Sequence, residues 1–169
     1  MSTKHSHNKQ GRRSSGRMRP YGGAGVLFYR LEAETVEVLL GKRRYRPYSG
    51  HWSVPGGRGE LNRHSGEKET PLETALRETE EEIGVRFPLS GSGEELPRVR
   101  LIVPGVFSFS TFILPYPADA KAYCGHDFTQ LEWFPLHALP EPLHHGVMRA
   151  VRRLPHIVEF SKKRMPWDS

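Results

Sequence analysis

Apolar residues at the start of the chain fall into short runs. Residues 21–32, "YGGAGVLFYRLE", predict a first strand and residues 35–43, "TVEVLLGKR", a second. The two-residue link Ala33-Glu34 between them predicts a hairpin. The stretch "RRYRPYSGHW" is turn-rich, with Pro47 and Gly50, and leads into "WSVPGG", a short strand ending on a glycine pair. Residues 58–69 are polar and read as loop. The period then changes. Leu72, Ala75, Leu76, Thr79 and Ile83 recur at helical spacing, which predicts a helix from Thr70 to Ile83 with that face in the core. Its ends carry matching signals. Thr70 is an N-cap, Pro71 suits the first helical position, Glu73 completes a capping box and Gly84 is a C-terminal stop. Strands follow at 98–103, "RVRLIV", and 106–115, "VFSFSTFILP", broken by Pro104-Gly105, and at 128–135, "FTQLEWFP". "PLHHGVMRAVRRL", residues 142–154, predicts a second helix, and the basic end reads as irregular. Strands, helix, strands, helix is the order of an α/β protein with a mixed sheet. The expected division is a tail over 1–20, a domain over 21–155 and a basic extension over 156–169.

Charge changes this picture at one place. The chain of 169 residues carries a net +6, yet Lys4, Lys9, Arg12, Arg13, Arg17 and Arg19 already supply +6 within the first twenty residues. The rest balances 19 basic against 19 acidic residues. The high pI therefore belongs to a tail that has few apolar residues and is expected to be disordered. A solvated arm, an arm that binds RNA or a protein partner, and a targeting peptide all fit it. No apolar run reaches the roughly 18 residues of a membrane span, and none follows the N-terminal charges as in a secretory signal. Cys124 is the sole cysteine, which agrees with a cytoplasmic location.

Candidate chemistry sits on the first helix. Four of the five residues from Glu78 to Glu82 are glutamates, and like charges so close repel. Glu78, Glu81 and Glu82 stand at i, i+3 and i+4 and share a face, while Glu80 points elsewhere. Arg77, four residues before Glu81, can brace it. Three converging carboxylates call for a positive centre, and Mg²⁺ takes oxygen ligands while keeping waters and substrate phosphates in its shell. A solvated acidic face is the plain alternative. Gly56 and Gly57 let the backbone approach a ligand closely and offer a carbonyl oxygen.

With these residues in place the chain resembles the Nudix (MutT-like) hydrolases. Their signature is G-x5-E-x7-R-E-U-x-E-E-x-G-U, with U a bulky apolar residue. Glu69, Arg77, Glu78, Glu81, Glu82, Gly84 and Val85 match in register, and Thr79 fills the first U position. "LLGKR", "GHWSVPGG" and "LEWFPLHALP" add to a likeness spanning roughly 21–155. One departure stands out. Eleven residues separate Gly57 from Glu69 where the signature has five, which six inserted residues near "LNRHSG" would explain. Glu67 therefore rivals Glu69.

The resemblance implies a Nudix-type α/β/α sandwich. It also implies a metal-dependent pyrophosphohydrolase acting, with Mg²⁺ or Mn²⁺, on a nucleoside diphosphate linked to another group. In that reading Glu78, Glu81, Glu82, the Gly57 carbonyl and Glu69 are metal ligands. Arg77 positions Glu81, and Glu78 or Glu82 orients water. The alternative is a non-catalytic nucleotide- or RNA-binding module of the same fold. Substrate contacts are sought at Arg43, Arg44, Arg46, Trp52, Tyr45, Tyr48, Phe107, Phe109 and Trp133, with Asp127 or Glu132 as a further acid. Adjacent His144 and His145 project differently on a helix and read as surface or core residues. Cys124 and His126 lack zinc spacing.

Overall fold

The computed structural model describes residues 21–61, 66–87, 93 and 95–164. Strand β1 (Tyr21–Glu32) turns directly into β2 (Thr35–Arg43). Ala33 and Glu34 both take left-handed backbone angles, φ 43° and 71°. Two consecutive positive φ values give a turn whose twist matches that of the strands it joins. The predicted hairpin thus forms without the glycine such turns usually carry.

Short β3 (Trp52–Ser53) and β4 (Gly56–Arg58) follow, then helix α1 (Pro71–Ile83). Strands β5 (Arg98–Val103), β6 (Phe107–Pro115) and β7 (Phe128–Pro135) complete the sheet, and helix α2 (His145–Arg164) closes the described chain. The main strand order is β3-β2-β1-β6-β5, with β4 on β1 and β7 on β2. β1 and β6 run parallel and the other pairs antiparallel, so the sheet is mixed.

A splay in this sheet positions the site. β2 leaves β1 after the Tyr29–Val38 pair. β3 then pairs with β2 at Gly41 and Lys42, whereas β4 pairs with β1 at Gly23 to Gly25. Residues 52–58 therefore cross from one parted strand to the other, and the glycine pair lies in the opening.

Both sheet faces are covered. Val26, Phe28, Leu39, Phe112 and Leu114 pack with Leu72, Ala75 and Ile83 of α1. Leu27, Val38, Leu40 and Ile113 pack with Val147, Ala150, Val151, Leu154 and Val158 of α2. A strand buried on both faces loses the alternation of a half-exposed one, which explains the unbroken "AGVLFY". Thr79 is fully buried, and its hydroxyl donates to the Ala75 carbonyl at 2.7 Å, so it fills an apolar position without an unmet polar group.

The second helix departs from the expectation at both ends. It starts at His145 rather than at residue 142, because the preceding residues serve the sheet. Trp52 N–H donates to Pro142 O and His144 N–H to Trp52 O, each at 2.9 Å, extending the edge beside β3. It runs past Leu154, through Pro155, to Arg164. Proline removes one helical hydrogen bond. The apolar stripe nevertheless continues to buried Val158, and Pro155 itself faces solvent. The expected boundary at residue 155 is thus interior to a helix. The basic tail over 1–20 lies outside the described residues.

Candidate active site

Helix α1 is fixed at both ends. Glu73 N–H donates to Thr70 Oγ1 at 3.2 Å and Thr70 N–H to Glu73 Oε2 at 2.7 Å, the reciprocal capping box. Gly84, at φ 70°, donates to the Glu80 carbonyl at 3.0 Å. The next free carbonyls, of Glu82 and Ile83, accept from Gly125 and Tyr123 N–H at 3.1 Å each. That loop is thereby tied to the helix end, and Asp127 comes close enough to raise the proton affinity of Glu82.

The long loop before the helix closes at its base. Glu69 N–H donates to the Glu60 carbonyl at 2.9 Å, Glu60 N–H to Glu69 Oε2 at 3.0 Å, and Leu61 bridges to Lys68. The extra residues leave and return at one point, so the glycine turn and the helix keep their register. Residues 62–65 of that loop lie outside the description. Of the two rival glutamates, Glu69 faces the helix. It accepts from Arg77 Nε at 2.8 Å, from Arg77 Nη2 at 3.2 Å and from Thr74 Oγ1 at 3.1 Å. Glu67 lies on the exposed outer part of the loop.

Arg77 is the hub. Beyond Glu69 it donates to the Arg58 carbonyl at 2.8 Å, to Glu78 Oε1 at 3.0 Å and to Glu81 Oε2 at 2.9 Å. Its hydrogen bond to Glu69 is the largest influence raising its own pKa. Glu80 is drawn off to exposed Arg86 at 2.6 Å, as its direction on the helix predicts.

The carboxylates differ electrostatically. Burial raises the proton affinity of Glu69, but Arg77, the Glu60 N–H and Thr74 outweigh it and hold its pKa below the usual value. For Glu78 burial wins over the attraction of Arg77, and Glu81 and Glu60 add repulsion, so its pKa is raised. Glu82 is the extreme case, only 6% exposed. Burial pushes it up to about 8 despite a 2.7 Å hydrogen bond from Gly56 N–H, with Glu78 and Asp127 raising it further and Arg43 opposing.

The sheet decides which glycine carbonyl faces the glutamates. Val26 N–H donates to Pro55 O and Gly59 N–H to Gly22 O, both at 3.0 Å. By the two-residue period of an antiparallel ladder, Ala24 and Gly57 form the hydrogen-bonded pair between them, which directs the Gly57 carbonyl at β1. Gly56 has the opposite phase. Its N–H already reaches Glu82, so its carbonyl lies along the same outward edge. The Gly57 carbonyl, predicted as a ligand, is thus taken up by the ladder, and the Gly56 backbone is the one next to Glu82. Gly57 matters for its missing side chain, since a Cβ would run into the Glu78 carboxylate.

The expected substrate residues separate. Arg44 is engaged by the fold, donating from Nε to His126 O and from Nη2 to Phe128 O at 2.7 Å each. Trp52 is buried edge-on to Phe134 in the α2-side core, which leaves it no face for stacking. Glu132 pairs with Leu40, whose side chain points to the α2 side. It is therefore turned away from α1, and Asp127 is the acid beside Glu82. Phe107 ends the β1–β6 ladder, half-buried beside Phe109, and Phe109 covers the space above Gly23. Arg43 acts electrostatically on Glu82 and belongs to the site. Tyr45 bonds the ring of His126 at 2.9 Å on the loop carrying Asp127.

The chain matches the NUDIX domain family over residues 21–154. It belongs to the Nudix family, whose hydrolases act on nucleoside diphosphate-linked compounds. Solved structures agree in fold. An Ap4A hydrolase from C. elegans, crystallised as a binary complex, superposes with a TM-score of 0.60 at 20% identity, covering 82% of this chain and 98% of its own. A MutT NUDIX hydrolase from Burkholderia pseudomallei gives 0.61 at 24%, with 80% and 98% covered. The NUDIX domain of Shewanella oneidensis NrtR, complexed with ADP ribose, gives 0.61 at 18%, with 83% and 89% covered.

Proposed function

We propose that this chain is a divalent-metal-dependent pyrophosphohydrolase that cleaves a nucleoside diphosphate linked to another group. The observation that carries the reading is buried Glu82 held by the Gly56 N–H, with Glu78 and Glu81 on the same face of the helix. Among the described residues no three such side chains already surround one point, because Glu78 and Glu81 are turned onto Arg77. The donor set still fits Mg²⁺ or Mn²⁺, being hard oxygens with excess negative charge. Glu78, Glu81, Glu82 and the Gly56 carbonyl would hold the ion. A bound ion supplies neutralisation of the pyrophosphate and a lowered pKa for water.

The chain's own residues do the rest. Arg77 and Glu69 lock the helix against the glycine turn, so that the carboxylates are placed before substrate arrives. Glu78 or Glu82 would, besides holding the ion, orient the attacking water. Arg43 meets the anionic substrate from the β2 side. Dinucleoside polyphosphates, nucleoside triphosphates and nucleotide sugars all suit this chemistry. The site would work in the cytoplasm, and the basic segment 1–20 would hold RNA-linked substrates. Deleting that segment should weaken RNA retention and its salt dependence.

The test is a nucleotide panel incubated with Mg²⁺ and Mn²⁺, with products identified by mass spectrometry. Metal-dependent cleavage at a phosphoanhydride is expected. Tight binding without turnover across the panel would favour a nucleotide-binding module instead.

A further inference from the structure

Two buried side-chain nitrogens among the described residues have no partner within the chain: Arg43 Nε and His51 Nδ1. They are neighbours by backbone bonding. Arg43 N–H donates to the His51 carbonyl and Gly50 N–H to the Arg43 carbonyl, each at 2.8 Å. Buried polar groups are nearly always bonded, so two unmatched ones in one place point to a ligand with acceptor atoms.

A third group completes the cluster. The ring of Tyr48 makes an edge contact with His144 at 4.5 Å and with His51 at 5.8 Å, so both imidazoles border the same ring. His144 is held there by its N–H bond to Trp52 O, the edge contact that delays the start of α2. Gly146 N–H donates to His144 Nδ1 at 3.3 Å, which leaves Nε2 to carry the proton and donate it. The charged neighbours that act on His144 are Arg43, His145 and His51, all cationic or potentially so. Arg43 also acts on Glu82, so the cluster adjoins the glutamates.

We propose that Arg43, His51 and His144 form an anion subsite that takes a substrate phosphate lying outside the bond being broken. The proposal rests on the pyrophosphohydrolase reading above and narrows it. The Arg43 guanidinium, the His144 ring N–H and His51 Nδ1 in the tautomer that protonates it match the oxygens of a phosphate. Substrates with a phosphate beyond the scissile anhydride, such as nucleoside triphosphates and dinucleoside polyphosphates, are favoured over nucleotide sugars, which have none.

The test needs no turnover. Inorganic phosphate is titrated into the full-length protein in EDTA while the histidine ring protons are followed by NMR. The His51 and His144 signals are expected to shift together and saturate. Arg43→Gln should weaken phosphate binding roughly tenfold, the loss typical of a charge-assisted hydrogen bond. His51→Gln should weaken it as well, with thermal melts verifying that each variant is folded. Absence of a saturable shift at either imidazole in the wild type overturns the subsite. So does unchanged affinity in whichever variant is folded. An inactive wild type whose imidazoles still shift would refute the hydrolase reading while supporting the subsite.

Discussion

Replacing Arg77 with glutamine removes five hydrogen bonds at once: two to Glu69 and one each to Glu78, Glu81 and the Arg58 carbonyl. They are not equal. The Glu81 side chain is 60% exposed, so solvent screens that pair to ~0–0.5 kcal/mol. The Glu69 side chain is only 10% exposed and that of Arg77 22%. Without Arg77, Glu69 keeps, among the described residues, the Thr74 hydroxyl and the Glu60 N–H. Breaking a fully buried pair costs about 3–5 kcal/mol, and partial exposure here brings the loss to roughly 2–3 kcal/mol. For a domain of this size that is a fall in Tm of roughly 5–10 °C. Calorimetry in EDTA at neutral pH measures it. Three carboxylates also lose their shared cation, so Mg²⁺ should restore more Tm to the variant than it adds to the wild type. A fall of less than about 2 °C, with no greater response to Mg²⁺, would refute the hub role of Arg77.

Glu82 gives a pH signature. Its folded pKa of about 8 lies above the ordinary 4.5, so the fold favours the protonated form. That stabilisation is complete below pH 4.5 and lost as pH rises through about 8. Melting temperatures in EDTA should therefore decline across this range, and Glu82→Gln should flatten the decline and melt higher than wild type at the alkaline end. Because the ion competes with that proton, Mg²⁺ affinity measured by titration calorimetry should rise over the same range. Gly57→Ala places a methyl group against the Glu78 carboxylate. It should cut kcat by roughly tenfold or more, as misplaced catalytic groups do, while far-UV circular dichroism stays native. Arg44→Ala frees the His126 and Phe128 carbonyls, so it should lower stability by about 1–2 kcal/mol in denaturant melts, with KM little changed.

The helix was legible in advance because its signals are local. Thr70, Pro71, Glu73 and Gly84 act within a turn of themselves, and the spacing of Glu78, Glu81 and Glu82 follows from helical geometry alone. The hairpin and most strands were legible for the same reason. What escaped depended on pairing. Whether Gly56 or Gly57 presents its carbonyl is set by the phase of the β1–β4 ladder, which spans residues far apart in sequence. Glu132 and Asp127 look alike in the chain, yet strand alternation turns one away while the loop capping α1 brings the other in. His144 read as a helix residue because its backbone bond to Trp52 has no local signature. The predicted second helix stopped at Leu154, yet burial of Val158 beyond Pro155 outweighs one lost hydrogen bond.

The most direct test of the central claim is turnover of the nucleotide panel by the wild type, Glu81→Gln and Glu82→Gln, each with and without Mg²⁺. The account predicts cleavage by the wild type that requires the ion. It predicts loss of most of that turnover in both variants, with the Glu82→Gln fold at least as stable as the wild type in EDTA. Near-normal turnover by both variants, or wild-type cleavage indifferent to removal of the ion, would contradict it.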